Sequence, residues 1–426
     1  MKYSLFALLI LVMAIMSREN VEVKYIYEWK YAAYAWQSQE QMEVAVASGN
    51  YNPKKCLLYD ASKADDGRVF ITIPREMGPG SPATLATVTD VMGTGGPLLS
   101  PYPNWSWHTS RCMCDGIVNV HRTHIRCNHL FVLDNGKIGL DQICDPKLLI
   151  FNLEDDTLIK TIHIPIELAT NQTGFGLLVT PLVYVPGNCS RFLDEMIVFI
   201  ADMQGSGLVV YDASTKRMCR VESDYMKPTS TFVSVANENF TYVGGIFSMT
   251  IIYDDLYYGA VSGKEIYKIK MKTLLECPNK EQANKQSKVV IKLSSLSGQI
   301  ASTGHAILYS DSLTMSILGT NVCTKSNKNT VVLAQDFEKL QTVCSLKVSY
   351  FFNEVTGLSN RFQRQVLGTM DIYEINFRYF TMNLSEVQNK IFKSVKGDMI
   401  SPTTTNDNFW VSWLLNVLNE YFYIYV

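Results

Sequence analysis

The chain has 426 residues, with 38 basic against 40 acidic side chains and a net charge of −2. With neither a basic patch nor an acidic tail, nucleic-acid binding has no electrostatic support. Hydrophobic residues make up 47% and charged ones 18%, so a sizeable core can be buried, and large all-β folds of this length often form a single unit.

The N-terminus reads MKYSLFALLILVMAIMS: Lys2, an apolar run from Leu5 to Met16, and small residues at Ala14 and Ser17. That is the pattern of a cleaved secretory signal over residues 1–17, and the run is short of the roughly 20 residues of a membrane span. Ten cysteines, an even number, fit an oxidising compartment. Five N-x-S/T sequons, at Asn104, Asn171, Asn188, Asn239 and Asn383, fit a glycosylated, extracellular, secreted protein.

Next comes a helix candidate at Ser38–Asn50, SQEQMEVAVASGN. Beyond it, short β-branched and aromatic runs are separated by Gly, Asp, Asn and Pro, and they come in pairs. Val69–Pro74 is followed by Thr84–Val88, Leu130–Asp134 by Lys147–Leu153, and Ile197–Asp202 by Gly207–Ala213. Leu256–Ala260 is followed by Glu265–Lys270, Ala306–Asp311 by Leu313–Leu318, and Val355–Asn360 by Asp371–Phe377. A hairpin repeat of roughly 50–65 residues predicts an all-β, six-bladed β-propeller, with each first run as an inner strand. The aromatic segment Val23–Trp36 is expected to close the ring by adding an outer strand to the last blade.

The stretch Gly93–Trp107, GTGGPLLSPYPNWSW, opens like a phosphate loop but lacks the lysine and the following helix. It reads as a connector between blades, with Trp105 or Trp107 as an anchor. The tail, Asn408–Val426, is apolar but interrupted by Asn416, Asn419 and Glu420, so stable membrane insertion is not expected. The expected organisation is a signal peptide at 1–17, one propeller at 18–400 and an apolar tail at 401–426.

Cysteines and histidines cluster between Cys112 and His129. Zinc ligation by Cys112, Cys114, His121, His124 and Cys127 does not match the usual spacings, so no metal or cofactor is expected. There is no G-x-S-x-G elbow and no paired-carboxylate motif. Asp134, Asp202 and Asp311 each end a first run, near a channel mouth. There they either meet a cationic ligand or serve acid–base chemistry, or they cap turns.

Several motifs carry a family resemblance: YEWKY at Tyr27–Tyr31, SGNYNP at Ser48–Pro53 and VFITIPR at Val69–Arg75. GGPLLSPYPNWS at Gly95–Ser106, CDGIV at Cys114–Val118, LFVLDNG at Leu130–Gly136 and CDPKLLIFNL at Cys144–Leu153 follow in order. LSNRFQ at Leu358–Gln363 and INFR at Ile375–Arg378 complete the set. The chain resembles the insect yellow / major royal jelly protein family, and its EWKY start is closer to the royal jelly branch. The resemblance implies a secreted six-bladed propeller and disulfides Cys114–Cys127 and Cys144–Cys189, leaving Cys56, Cys112, Cys219, Cys277, Cys323 and Cys344 unassigned.

Family members differ in function. Some convert dopachrome, some are food-jelly glycoproteins, and salivary members bind biogenic amines in the channel. An Asn and a Phe that line that amine pocket match Asn360 and Phe362, while a threonine they use aligns with Cys344. The first expectation is therefore a channel that binds a small molecule such as a biogenic amine or sterol, without catalytic residues. The rivals are a dopachrome-converting isomerase, with Asp134 or His305 as acid–base group, and a storage glycoprotein. Nothing in the sequence fixes the oligomeric state.

Overall fold

A computed structural model describes residues 20–109, 114–296, 298–323 and 330–399. The expected signal peptide, Cys112 and the expected tail from residue 401 lie outside the described residues. Among the described residues no helix is long and apolar enough to cross a membrane.

Six four-stranded antiparallel sheets form the ring of a six-bladed β-propeller. Their innermost strands are Asp60–Lys63, Val120–Arg126, Leu178–Tyr184, Ile246–Ile252, Ile300–Thr303 and Thr342–Ser349, and each packs against its neighbours around the axis. The first runs of the sequence pairs, expected to be innermost, are instead the second strands: Val69–Thr72, His129–Asp134, Ile197–Asp202, Asp255–Ala260, Ala306–Asp311 and Glu354–Asn360. The physical reason is burial. A second strand is covered on both faces by adjacent blades, so Ile197–Asp202 and Ala306–Asp311 are buried at every position and read as continuous apolar runs. Innermost strands face the channel and carry polar residues such as Asp60, His121, Arg122, Ser248 and Lys347.

Closure follows the expectation. Lys24–Trp29 pairs antiparallel with Phe377–Asn383 in the last blade, from Lys24 opposite Thr381 to Trp29 opposite Phe377. Trp29 is fully buried and donates from Nε1 to the Pro97 carbonyl at 2.8 Å, tying the closing strand to blade 1. The expected helix is present as Gln39–Ala47, with the Ser38 hydroxyl accepting from Gln41 N as its N-cap.

The Gly93–Trp107 stretch is more than a connector. Gly96–Pro101 is the outermost strand of blade 1, paired with Leu85–Gly93. A Cβ on Gly96 would sit 2.5 Å from the Glu28 carbonyl and 2.8 Å from the Trp29 ring, so the glycine allows the closing strand to approach. Trp105 is the anchor: Nε1 donates to Ala35 O at 3.0 Å and the ring stacks on Trp36 with centroids 4.9 Å apart.

The disulfides use the four expected cysteines in a different pairing, Cys114–Cys144 and Cys127–Cys189, and add Cys219–Cys277. Cys114 precedes the extended strand Val120–Arg126 and Cys127 follows it. A seven-residue strand spans roughly 23 Å, far beyond the Cα separation of a disulfide, so Cys114–Cys127 is excluded. Cys144 lies where the second strand of blade 2 ends, since Lys147 pairs with Asp134. Cys189 lies at the other end of blade 3, between its innermost and second strands. Cys56 and Cys344 are free and buried, and Cys323 is free and exposed.

Candidate functional site

At the end of the channel where innermost strands begin and second strands end, a cavity of about 90 Å³ opens between blades 1, 4, 5 and 6. Tyr59, Phe247, Gln299, Cys344, Asn360 and Phe362 are part of its wall. An inserted ribbon, Phe232–Val235 paired with Glu238–Thr241, covers one side with Val233, Val235 and Phe240. Its turn holds Ala236 and Asn237 at φ of 51° and 64°, the paired left-handed conformation of a tight hairpin. The sequence signal for this ribbon is FVSV and ENFT flanking Ala-Asn, which lies outside the six paired runs.

The expected ligand residues Asn360 and Phe362 both line this cavity, together with Cys344. Asn360 is 3% exposed; its Nδ2 donates to Leu58 O at 3.1 Å, but its Oδ1 has no partner. Gln299 Oε1 and Thr342 Oγ1, on the same wall, are also buried without a partner. An unpaired buried oxygen costs about 1–3 kcal/mol, so three of them on an otherwise apolar wall are an exception that calls for a donor. Cys344 cannot reproduce a threonine's hydrogen bonding well: its thiol donates weakly to Leu358 O at 3.3 Å, and burial pushes its pKa to about 12.

A second cavity of about 180 Å³ lies alongside, sharing Tyr242 and Phe362 as its partition. Those two rings meet edge to face, with centroids 5.2 Å apart at 86°. Glu76 lines this second cavity; the Tyr242 hydroxyl donates to its Oε1 at 2.9 Å. Burial raises the Glu76 carboxyl above the usual range.

Farther along the axis the channel is filled by charge. Asp60 accepts from Arg122 Nη1 at 3.2 Å, Ser345 Oγ at 2.8 Å, Thr123 N at 3.1 Å and Lys347 Nζ at 2.6 Å. The Arg122 guanidinium lies over the rings of Phe247 and Tyr59, 4.5 Å and 4.9 Å from their centroids. These residues were not singled out in the sequence, because a lone Asp, Arg or Lys in a short strand carries no spacing signal.

The acid–base candidates fall elsewhere. Asp134 is fully buried and accepts from the backbone N–H groups of Val118, Asn119 and Gly136. Asp202 and Asp311 repeat the pattern, taking the amides of Leu177 and Gly205, and of Leu313 and Thr314. All three therefore cap turns, each joining the end of a second strand to nearby loops. His305 sits in the turn after Ile300–Thr303, at the far end of that strand from the cavity, with the Tyr253 hydroxyl 2.9 Å from Nδ1. Asp134 and His305 line neither cavity. Cys114 and Cys127 lie in different disulfides and His121 and His124 on the channel strand, so these members of the zinc reading do not converge. Among the described residues no group of three or more His, Cys, Asp or Glu is placed to hold a metal.

The sequons Asn104, Asn188, Asn239 and Asn383 are exposed and Asn171 is half-buried. At Asn104, Asn171 and Asn188 the side-chain oxygen takes the hydroxyl of the Ser or Thr two residues on, an Asx turn that holds the motif at the surface.

A family model described as Major royal jelly protein matches residues 118–392. Major royal jelly protein 8 of Apis mellifera is 31% identical over 394 residues, covering 86% of this chain and 91% of its own. Major royal jelly protein 1 of Apis mellifera is 30% identical over 389 residues, covering 86% and 89%. Among solved structures, U3-55K matches at 9% identity with a TM-score of 0.42, over 78% of this chain and 96% of that one, too loosely to bear on the site. A match over well more than half of the chain, in the same range as the propeller, has one reading: the chain belongs to the major royal jelly protein family.

Proposed function

We propose that this chain is a secreted, N-glycosylated propeller that binds a small ligand at the end of its central channel, without catalysing its conversion. The observation that carries the reading is the set of three unpartnered buried oxygens, Asn360 Oδ1, Gln299 Oε1 and Thr342 Oγ1, on one apolar, aromatic wall. Such a wall suits a compact ligand with an apolar body and a hydrogen-bond donor, such as a biogenic amine. Phe362 supplies aromatic surface for a cation or a ring, and Phe247 and Tyr59, which already carry Arg122, supply surface for a ring. The three disulfides and the surface sequons support passage through an oxidising secretory compartment.

Calorimetry tests the reading on purified protein titrated with serotonin, dopamine and a sterol. Saturable binding of at least one of them, weakened at least about tenfold by Asn360→Ala, is the expected result. No heat with any, or binding indifferent to Asn360→Ala, overturns it. The glycans are checked by the mass lost on treatment with a glycosidase specific for N-linked chains.

A further inference from the structure

A finer requirement, which rests on the ligand-binding reading, comes from Glu76 on the wall of the second cavity and from His121, which lies behind that wall beside it. His121 is fully buried on the innermost strand of blade 2. Its tautomer follows from its neighbours. Asn135 Oδ1 accepts from Lys137 N at 3.1 Å, which turns the Asn135 amide nitrogen toward Leu178 O at 3.2 Å and His121 Nδ1 at 2.8 Å. Nδ1 therefore accepts, and the ring proton sits on Nε2. Burial lowers the His121 pKa to about 3, so the ring is neutral near pH 7.

That Nε2–H has no hydrogen-bond partner: Glu76 Oε2 is 3.9 Å away, and the ring packs edge to face on Tyr59 with centroids 5.5 Å apart. Glu76 Oε2 is also unpartnered, while Oε1 is held by Tyr242. A buried N–H and a buried carboxyl oxygen thus lie across a gap too long for one hydrogen bond. The gap fits one oxygen about 2.8 Å from each. An ammonium satisfies the carboxylate but opposes the N–H; a carboxylate ligand does the reverse. A single atom bridging the two must accept and donate at once, as a hydroxyl oxygen does. Leu57, Pro74, Met77 and Val366 give this cavity apolar surface beside Glu76, with Lys55 and Gln365 as its other polar residues, so the hydroxyl is carried by a molecule with an apolar body.

We propose that the Glu76–His121 pair is a hydroxyl-reading subsite, and that the ligand is a phenol or small alcohol whose O–H bridges Glu76 Oε2 and His121 Nε2. Tyr242 fixes the carboxyl from the other side, and the Tyr242–Phe362 partition sets this subsite beside the Asn360 wall.

The test uses the whole protein and three probes of one shape: 4-ethylphenol, ethylbenzene and phenethylamine, followed by ligand-observed NMR and calorimetry. The unaltered protein should bind 4-ethylphenol at least about tenfold more tightly than ethylbenzene. His121→Phe, which keeps a buried ring of similar size, should erase that preference, while Asn360→Ala should leave it. Equal binding of 4-ethylphenol and ethylbenzene means that a bound water alone fills the gap, and overturns the proposal without any variant having to fold. A preference that survives His121→Phe, or phenethylamine binding more tightly than 4-ethylphenol and falling with Glu76→Gln, also overturns it. If the probes show no hydroxyl preference while an amine still binds through Asn360, the subsite falls and the ligand-binding reading stands. If nothing binds in any arm, both fall.

Discussion

Asp60 and Asn360 are both buried polar residues of the channel, 0% and 3% exposed, yet only one is fully partnered. Asp60, on blade 1, accepts four hydrogen bonds from the two adjacent blades: from Arg122 and Thr123 on blade 2, and from Ser345 and Lys347 on blade 6. Asn360 uses its amide nitrogen and leaves its oxygen bare, as Gln299 and Thr342 do beside it. Saturated polar groups hold the ring together; unsaturated ones mark where the ring meets something else. The same contrast separates Asp134, whose carboxylate is absorbed by three backbone amides, from Glu76, which keeps one oxygen free at a cavity.

The largest test of this division is Asp60→Ala. It strands Arg122 as a buried cation and Lys347 as a half-buried one, and stability measured by chemical denaturation should fall by about 3–5 kcal/mol. A loss under about 1 kcal/mol would mean that the axial charges are not structural.

Acid provides the next test. His121 has a folded pKa of about 3, below the ordinary value, so the unfolded chain takes up its proton first as pH falls. The neutral ring's contribution is present above pH ~6.5 and lost progressively toward pH 3, at about 1.4 kcal/mol per pH unit. His108 and His124, also lowered by burial to about 3, contribute in the same window, so His121→Phe should reduce the slope by about one proton's worth, whereas Asn360→Ala should leave it unchanged.

On the other side of the comparison, Asn360→Ala should change stability by no more than about 1 kcal/mol, since it deletes one hydrogen bond along with an unpaired oxygen. Ligand binding should nevertheless weaken at least about tenfold. A large stability loss would move Asn360 to the structural class.

The smallest effect is chemical. Under native conditions an alkylating reagent should modify the exposed Cys323 and spare Cys56 and Cys344, whose thiols burial holds at about 12. Ligand present or absent, Cys344 should react only after unfolding; rapid native labelling would show that the cavity is open to solvent.

How much was legible depended on how strongly a residue's environment constrains its type. Second strands lie between blades, so Ile197–Asp202 and Ala306–Asp311 had to be apolar throughout, and the six-fold repeat was visible. Innermost strands such as Asp60–Lys63 and Ile300–Thr303 are short and mixed, and went unrecognised. The closing strand at Lys24–Trp29 was readable from its aromatics, and the helix Gln39–Ala47 from the run Ser38–Asn50. Asn360 and Phe362 came through the family likeness, whereas Glu76, His121 and Tyr242 carried no linear motif. They are far apart in the chain and meet only because blades 1 and 2 and the ribbon-bearing connection converge on the axis.

The sequence by itself determined the architecture: six hairpin repeats, ring closure by the N-terminal strand, and cysteines enough for cross-links. Periodic burial leaves a periodic pattern, and that pattern survives in one dimension. Only the tertiary structure decided which strand is innermost, which cysteines pair and which buried oxygens stay unpaired. Those properties depend on which ends of different strands come together in space. Cys114 meets Cys144 and not Cys127 because an extended strand separates the latter two, and Glu76 faces His121 because neighbouring blades place them on the same side of the channel.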